Sequence, residues 1–244
     1  MSEISTWRPL GRIGGIAALL AALLFRRNMG AEVSLFVGVE AIPKSVADWY
    51  ALLQGNPFIS LAFLGVFDLV NYALVGLMFL ALGAAFWQAH KSAAAMALAS
   101  GLVGIAVSFA ANVSLTMLSL SQQHAAATSE AQRAVLLAAG QAILATDNPL
   151  AIFPGTGAYV SLLLIALAGL LFSVVMLRSN RTTAIVGLLA SGCDLAYCLT
   201  LALMPLLPVY LFVAVAGLFW MIWHLLVARI LFKLSRPSSA ISLS

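Results

Sequence analysis

Charged residues are scarce in this chain of 244 residues, at 8%, which is about a third of the share found in an ordinary soluble domain. Too few polar side chains are present to cover a surface in water. This excludes a disordered tail, a disulfide-stapled secreted module and a cytosolic enzyme. Hydrophobic residues make up 63% of the chain, and the mean hydropathy is +1.07. The composition therefore predicts an integral membrane protein.

The motifs of several membrane and hydrolytic chemistries are also lacking. A bundle haem requires paired axial histidines, and only His224 of the three histidines falls within an apolar run. HExxH, Walker A and GxSxG sequences do not occur. Cys193 and Cys198 lie five residues apart in one apolar run, where helical geometry does not allow a disulfide. We therefore expect no metal and no cofactor, and a non-enzymatic role is favoured.

Apolar runs of about 20 residues, bounded by charged or turn residues, predict six transmembrane helices. They cover residues 10–25, 58–87, 92–120, 152–177, 182–204 and 209–232. The predicted fold class is all-α, a polytopic membrane protein whose six-helix bundle forms a single domain over residues 1–244. Residues 26–57 and 121–151 are expected on the outer face of the membrane.

An extra amphipathic helix is predicted on that outer face. Apolar residues recur at helical spacing between Thr128 and Asp147, and polar residues occupy the other positions. Thr128, Ser129 and Glu130 supply a start signal, while Asp147 and the following Asn-Pro supply a stop signal. This helix and the segment before Asn56 together predict an outer cap.

The distribution of Lys and Arg predicts the orientation, because basic residues favour the cytoplasmic side. A cytoplasmic N-terminus places eight of the twelve on that side, namely Arg8, Arg12, Lys91, Arg178, Arg181, Arg229, Lys233 and Arg236. Arg26 and Arg27 are discordant, and Glu32, Glu40 and Asp48 in the same loop offset them. Both termini are therefore expected in the cytoplasm. The net charge of +4 is spread over helix ends, so nucleic acid is not expected as a partner.

Short motifs give the chain a resemblance to a known family. The first predicted helix opens with Arg12-Ile-Gly-Gly-Ile16, the second contains Phe67-Asp-Leu-Val70, and the fifth opens with Ala184-Ile-Val-Gly-Leu188. Together with the Ala-rich outer helix, these features resemble the bacterial membrane family known as domain of unknown function 4386. The resemblance implies a related fold and a bacterial inner-membrane location, and it implies no activity.

Ionisable side chains inside predicted spans are candidate functional groups, because burying a charge in the membrane is costly. Asp68 shares a helix face with Asn71 and Tyr72, three and four residues further on. The full set of intramembrane polar candidates is Asp68, Asn71, Tyr72, Asn112, Asp194, Tyr197 and His224. The opposing interpretation is that these residues lie on packing faces, where small and polar side chains hold helices together.

Two functional hypotheses follow from these residues. In the first, the interior lined by Asp68 and Asp194 moves or binds protons or a small apolar molecule, and Asp68, Asp194 and His224 form a staggered polar path. In the second, the chain is a non-catalytic membrane module that binds a lipid-like ligand under the outer cap or senses it. An intramembrane enzyme has the weakest support. Membrane lipids, a small apolar ligand and a second copy of the chain are the expected partners.

Overall fold

A computed structural model describes residues 7–38, 43–148, 153–203 and 209–236. Every regular element within these residues is an α-helix. The helices are α1 (Arg8–Gly38), α2 (Val46–Gly55), α3 (Pro57–Phe63), α4 (Val66–Phe86), α5 (Lys91–Ala111), α6 (Ser114–Ala126), α7 (Glu130–Thr146), α8 (Thr156–Met176), α9 (Arg181–Leu203) and α10 (Val209–Leu234). The predicted all-α class is confirmed.

Five stretches of the described chain are long and apolar enough to cross a membrane. They are Val66–Phe86, Lys91–Ala126, Thr156–Met176, Arg181–Thr200 and Val215–Leu234. Large apolar side chains also point outward from these helices, including Met96, Val103, Val174 and Leu199, each about half exposed or more. Such a surface suits lipid and not water. The chain is therefore a multi-pass membrane protein.

Six helices pack in a closed ring in the order α1, α4, α5, α8, α9, α10, with α10 returning to α1. Small residues permit the close approach of neighbouring helices. Gly14 of α1 lies against Ala81 of α4 and Leu231 of α10, and Gly101 of α5 lies against Phe79 of α4. One continuous cluster of buried apolar side chains fills the ring. We refer to these six helices as the bundle.

A second apolar cluster lies apart from the bundle core. It holds together α2, α3, α6 and α7, which we call the cap. Trp49, Tyr50 and Leu53 of α2 are buried in it together with Met117 of α6. The Tyr50 hydroxyl also donates a hydrogen bond of 2.9 Å to the backbone oxygen of Leu136 in α7. Apolar burial and this bond between helices together fix the cap.

Local capping determines where the cap helices start and end. Ser45 and Asp48 form a capping box at the start of α2. The Ser129 hydroxyl accepts a hydrogen bond from Gln132 N at the start of α7, and Asp147 is the C-cap residue of that helix. The helix between Ser129 and Asp147 therefore begins and ends at the signals present in the sequence.

The observed helices depart from the predicted spans at three places. Helix α1 continues through Arg26 and Arg27 to Gly38, because arginine ends an apolar run without ending a helix. The predicted helix 58–87 is divided into α3 and α4 at Gly65, which has a left-handed φ of 79°. The predicted helix 92–120 is divided into α5 and α6 at Asn112. The breaks at Gly65 and Asn112 lie side by side.

Candidate functional site

The break before α4 and the break after α5 are joined by one side chain. Asn112 Nδ2 donates a hydrogen bond of 2.9 Å to the backbone oxygen of Gly65, and Asn112 Oδ1 accepts one of 3.1 Å from Ser114 N. The amide therefore satisfies backbone groups that the two breaks leave outside the helical pattern. Asn112, predicted as an intramembrane candidate, is the polar link between the breaks.

Asp68 lies in the first turn of α4, directly after the break. Its backbone N–H donates to Gly65 O at 3.1 Å, and its Oδ2 lies 3.1 Å from the position of a Cβ built on Gly65. The carboxyl group therefore folds back toward Gly65. A carboxylate is favourable at this place, because the N-terminus of a helix carries partial positive charge. The Asp68 side chain is exposed at this end of α4.

Asn71 and Tyr72 occupy the next turn of the same face, as their spacing predicts. Asn71 is 4% exposed, and Tyr72 packs against the bundle core. Asn71 and Tyr72 therefore line the inward face of α4 one turn after Asp68.

Asp194 lies in α9 and is 5% exposed. Trp220 of α10 donates its indole N–H to Asp194 Oδ2 at 2.6 Å. His224 Nδ1 lies 2.6 Å from the backbone oxygen of Trp220. A carbonyl oxygen only accepts, so Nδ1 is the protonated nitrogen of the ring. Asp194, Trp220 and His224 therefore form one buried polar unit between α9 and α10.

Aromatic packing holds this unit in place. The ring centroids of Trp220 and Trp223 are 5.1 Å apart at an angle of 83°, and the His224 ring lies 5.7 Å from each of them. Edge-to-face contacts of this kind are a favourable aromatic geometry. Gly169 and Gly187 leave room for the two indoles against α8 and α9. The rings can pack at this depth because small residues face them.

Several buried polar atoms around the unit have no hydrogen-bond partner within the described residues. They are Asn71 Oδ1, Ser161 Oγ, Ser173 Oγ, Ser191 Oγ and Trp223 Nε1. Buried polar groups in folded proteins are nearly always paired with protein or ordered water. We therefore expect internal water molecules along the inner faces of α4, α8, α9 and α10.

The sequence did not indicate Trp220 as a site residue. Tyr197, which it did indicate, packs in a small apolar cluster with Cys198, Tyr159 and Phe212. Trp220 and His224 are four residues apart, so their shared helix face was a signal that could have pointed to Trp220.

Within the described residues, no group of three His, Cys, Asp or Glu side chains could hold a metal ion.

A cavity of about 760 Å³ lies between the cap and the bundle. It opens where the α5–α6 break, the last turn of α7 and the start of α8 meet. Its described lining includes Asn112, Thr116, Leu144, Asp147 and Phe153. Burial raises the pKa of the Asp147 carboxyl. The sequence had suggested Asp147 only as a helix stop.

Comparison with family models, curated proteins and solved structures finds no match to this chain. The resemblance to domain of unknown function 4386 therefore stays a prediction.

Proposed function

We propose that the chain is a bacterial inner-membrane protein that takes up and moves protons through its bundle, with Asp194 as the proton-binding carboxyl group. The observation that carries this proposal is the burial of the Asp194 carboxyl group inside the bundle, where it accepts the Trp220 indole N–H at 2.6 Å. Ionisable groups inside membrane spans are costly, and proton relays are a function that retains them.

The proposed path begins at Asp68, which is exposed at the outer break. It continues through the Tyr72 hydroxyl to Asp194. Asn71 Oδ1 and Ser191 Oγ are buried and have no hydrogen-bond partner in the described part of the chain, so they can hold water beside this route. Water can bridge separations that are too long for a direct hydrogen bond. The unit of Asp194, Trp220 and His224 extends the polar groups toward the inner half of α10.

The proton-binding step can be tested by infrared titration of the protein in lipid. We expect a protonated-carboxyl band that titrates with pH and disappears in Asp194→Asn, while Asp147→Asn, which alters an acid outside the bundle, retains it. Tyr72→Phe should keep the band and slow its response, because it removes a hydroxyl from the path without changing the ring. A titrating band that persists unchanged in Asp194→Asn would disprove the assignment.

We further propose six spans with both termini in the cytoplasm, with α1 as the sixth span and the cap on the outer face. The closed ring supports this proposal, since α1 fills the gap between α4 and α10. Cysteine variants at two inner and two outer positions can be labelled on intact cells with an impermeant thiol reagent. The positions are Lys91, Arg178, Gln123 and Arg133. Only the last two should react, and labelling at the first alone would reverse the orientation.

A second candidate function, ligand binding, is favoured by the cavity between cap and bundle. A volume of about 760 Å³ falls within the range of small-molecule sites. Neither Asp68 nor Asp194 is among the described residues that line it. A ligand there would be held without the proton path.

A further inference from the structure

The cavity between cap and bundle combines a charged end with an apolar wall. Asp147 is the single charged side chain among its described lining residues. Ile143, Leu144, Val113 and Phe153 provide apolar surface in the same cavity. Polar and apolar groups share the lining about equally, so the cavity can contact both parts of an amphiphilic ligand.

The Asp147 carboxyl group is half-buried and makes no hydrogen bond or ion pair with any other described residue. The other acid on α7, Glu130, differs in this respect. It is strongly exposed and paired with Arg133 at 2.6 Å, near the opposite end of the helix. Asp147 is thus a carboxylate whose burial is not offset by a protein cation in the described chain.

Backbone structure fixes Asp147 at the cavity edge. Its N–H donates to Ile143 O at 3.0 Å as the C-cap of α7, and it pairs with Gly155 in an isolated β-bridge. Gly155 has a φ of 142°, and a Cβ there would lie 3.1 Å from the Asp147 Cα. The backbone position of Asp147 is therefore set by contacts that do not involve its charge.

We propose that this cavity binds a small amphiphilic ammonium cation. Its charged nitrogen lies at Asp147 and its apolar part lies against Leu144 and Phe153. Asn112 and Thr116 supply neutral polar groups in the same cavity. A cation supplies the countercharge that the half-buried carboxylate lacks, and an apolar tail fills the remaining volume. The proposal does not depend on the proton path, because none of the described lining residues belongs to the Asp194 unit.

Calorimetric titration of the full chain in an uncharged maltoside detergent tests the proposal, with hexyltrimethylammonium as the probe. Hexyl sulfate and hexanol share its alkyl chain. Hexyl sulfate carries a negative charge, and hexanol is uncharged. We expect saturable binding of the cation alone. Asp147→Asn keeps the size of the side chain and should weaken binding about tenfold, the loss expected when one close charge pair is removed.

Two further variants separate charge from shape. Glu130→Gln removes the other acid of α7, outside the cavity, and should leave binding unchanged. Ala145→Leu adds bulk to the lining while retaining Asp147, and should also weaken binding of the cation. Equal binding by the wild type and Asp147→Asn would overturn the proposal. Binding of hexyl sulfate as tightly as the cation would overturn the proposal too. So would a result in which dihexanoyl-phosphatidylcholine binds and hexyltrimethylammonium does not.

Discussion

Replacing Gly187 by alanine should loosen the bundle at the level of the tryptophan and histidine rings. Gly187 of α9 faces both α8 and α10. A Cβ at this position would lie 2.7 Å from Trp223 Cδ1, and closer still to Ser173 Oγ and the indole nitrogen. Carbon atoms in good contact are about 3.5–4.0 Å apart, so about 1 Å of overlap must be relieved.

The size of the effect follows from what can move. The Ser173 hydroxyl can rotate away, whereas the Trp223 indole is rigid, fully buried and packed against Trp220. Overpacking of this kind costs about 1–3 kcal/mol. Alanine regains up to about 1 kcal/mol through its higher helix propensity. We therefore expect a net loss of stability of about 1–2 kcal/mol, which corresponds to a fall of roughly 2–8 °C in Tm.

Tryptophan fluorescence during thermal unfolding in detergent measures this effect directly, because Trp220 and Trp223 lie at the perturbed site. Gly192→Ala is the matched control. It lies on the same helix, and a Cβ there would meet no atom within 4 Å. The control should unfold at the wild-type temperature or slightly above. Equal Tm values for the two variants would refute the argument that α8, α9 and α10 are in contact at Gly187.

Three further predictions concern the helix breaks and the cap. Asn112→Ala should lower stability by about 1–2 kcal/mol, because it removes the hydrogen bonds to Gly65 and Ser114. Ser119→Ala, on the exposed side of α6, is the control and should leave the thermal unfolding temperature unchanged. Hydrogen bonds from the Ser45 side chain and from the backbone of Lys44 and Ser45 lower the pKa of Asp48. Its stabilisation of α2 should therefore be complete above the ordinary carboxyl pKa of 3.8 and disappear as the pH falls through the lowered value, which amide exchange in α2 would detect. Ionisation of Asp147 should have the opposite effect on stability. Burial raises its pKa, so the ionised carboxyl group destabilises the folded cap as the pH rises above 3.8. Asp147→Asn should remove that penalty and slow amide exchange in α7 at neutral pH, and faster exchange would contradict this.

Much of the helical pattern could be predicted from the sequence, because charged residues and prolines bound the apolar runs. Predicted and observed starts differ by one residue for α5 and α9 and agree for α10. The breaks at Gly65 and Asn112 were missed. Each break is two residues long and lies inside an apolar run, and hydropathy is insensitive to backbone conformation. The break at Asn112 depends on a carbonyl 47 residues away, which local sequence does not indicate.

The candidate site was predictable only within single helices. The spacing of Asp68, Asn71 and Tyr72 places them on one face, and the structure agrees. The partner of Asp194 was not predictable, because it depends on which helix lies beside α9. Trp220 becomes that partner through the order of helices around the ring. The cavity at Asp147 likewise requires α7 to meet the α5–α6 break.

The two separate apolar clusters give the chain two different responses to its surroundings. If the cap lies outside the membrane, as we propose, its cluster is withdrawn from water, so its stability depends on the hydrophobic effect and carries a positive heat capacity of unfolding. The bundle has lipid as its surroundings and depends on close packing at glycines and on buried hydrogen bonds. Cooling or urea should therefore loosen the cap while the bundle persists. A calorimetric scan should accordingly resolve two transitions, because the chain joins a unit folded against water to one folded within lipid.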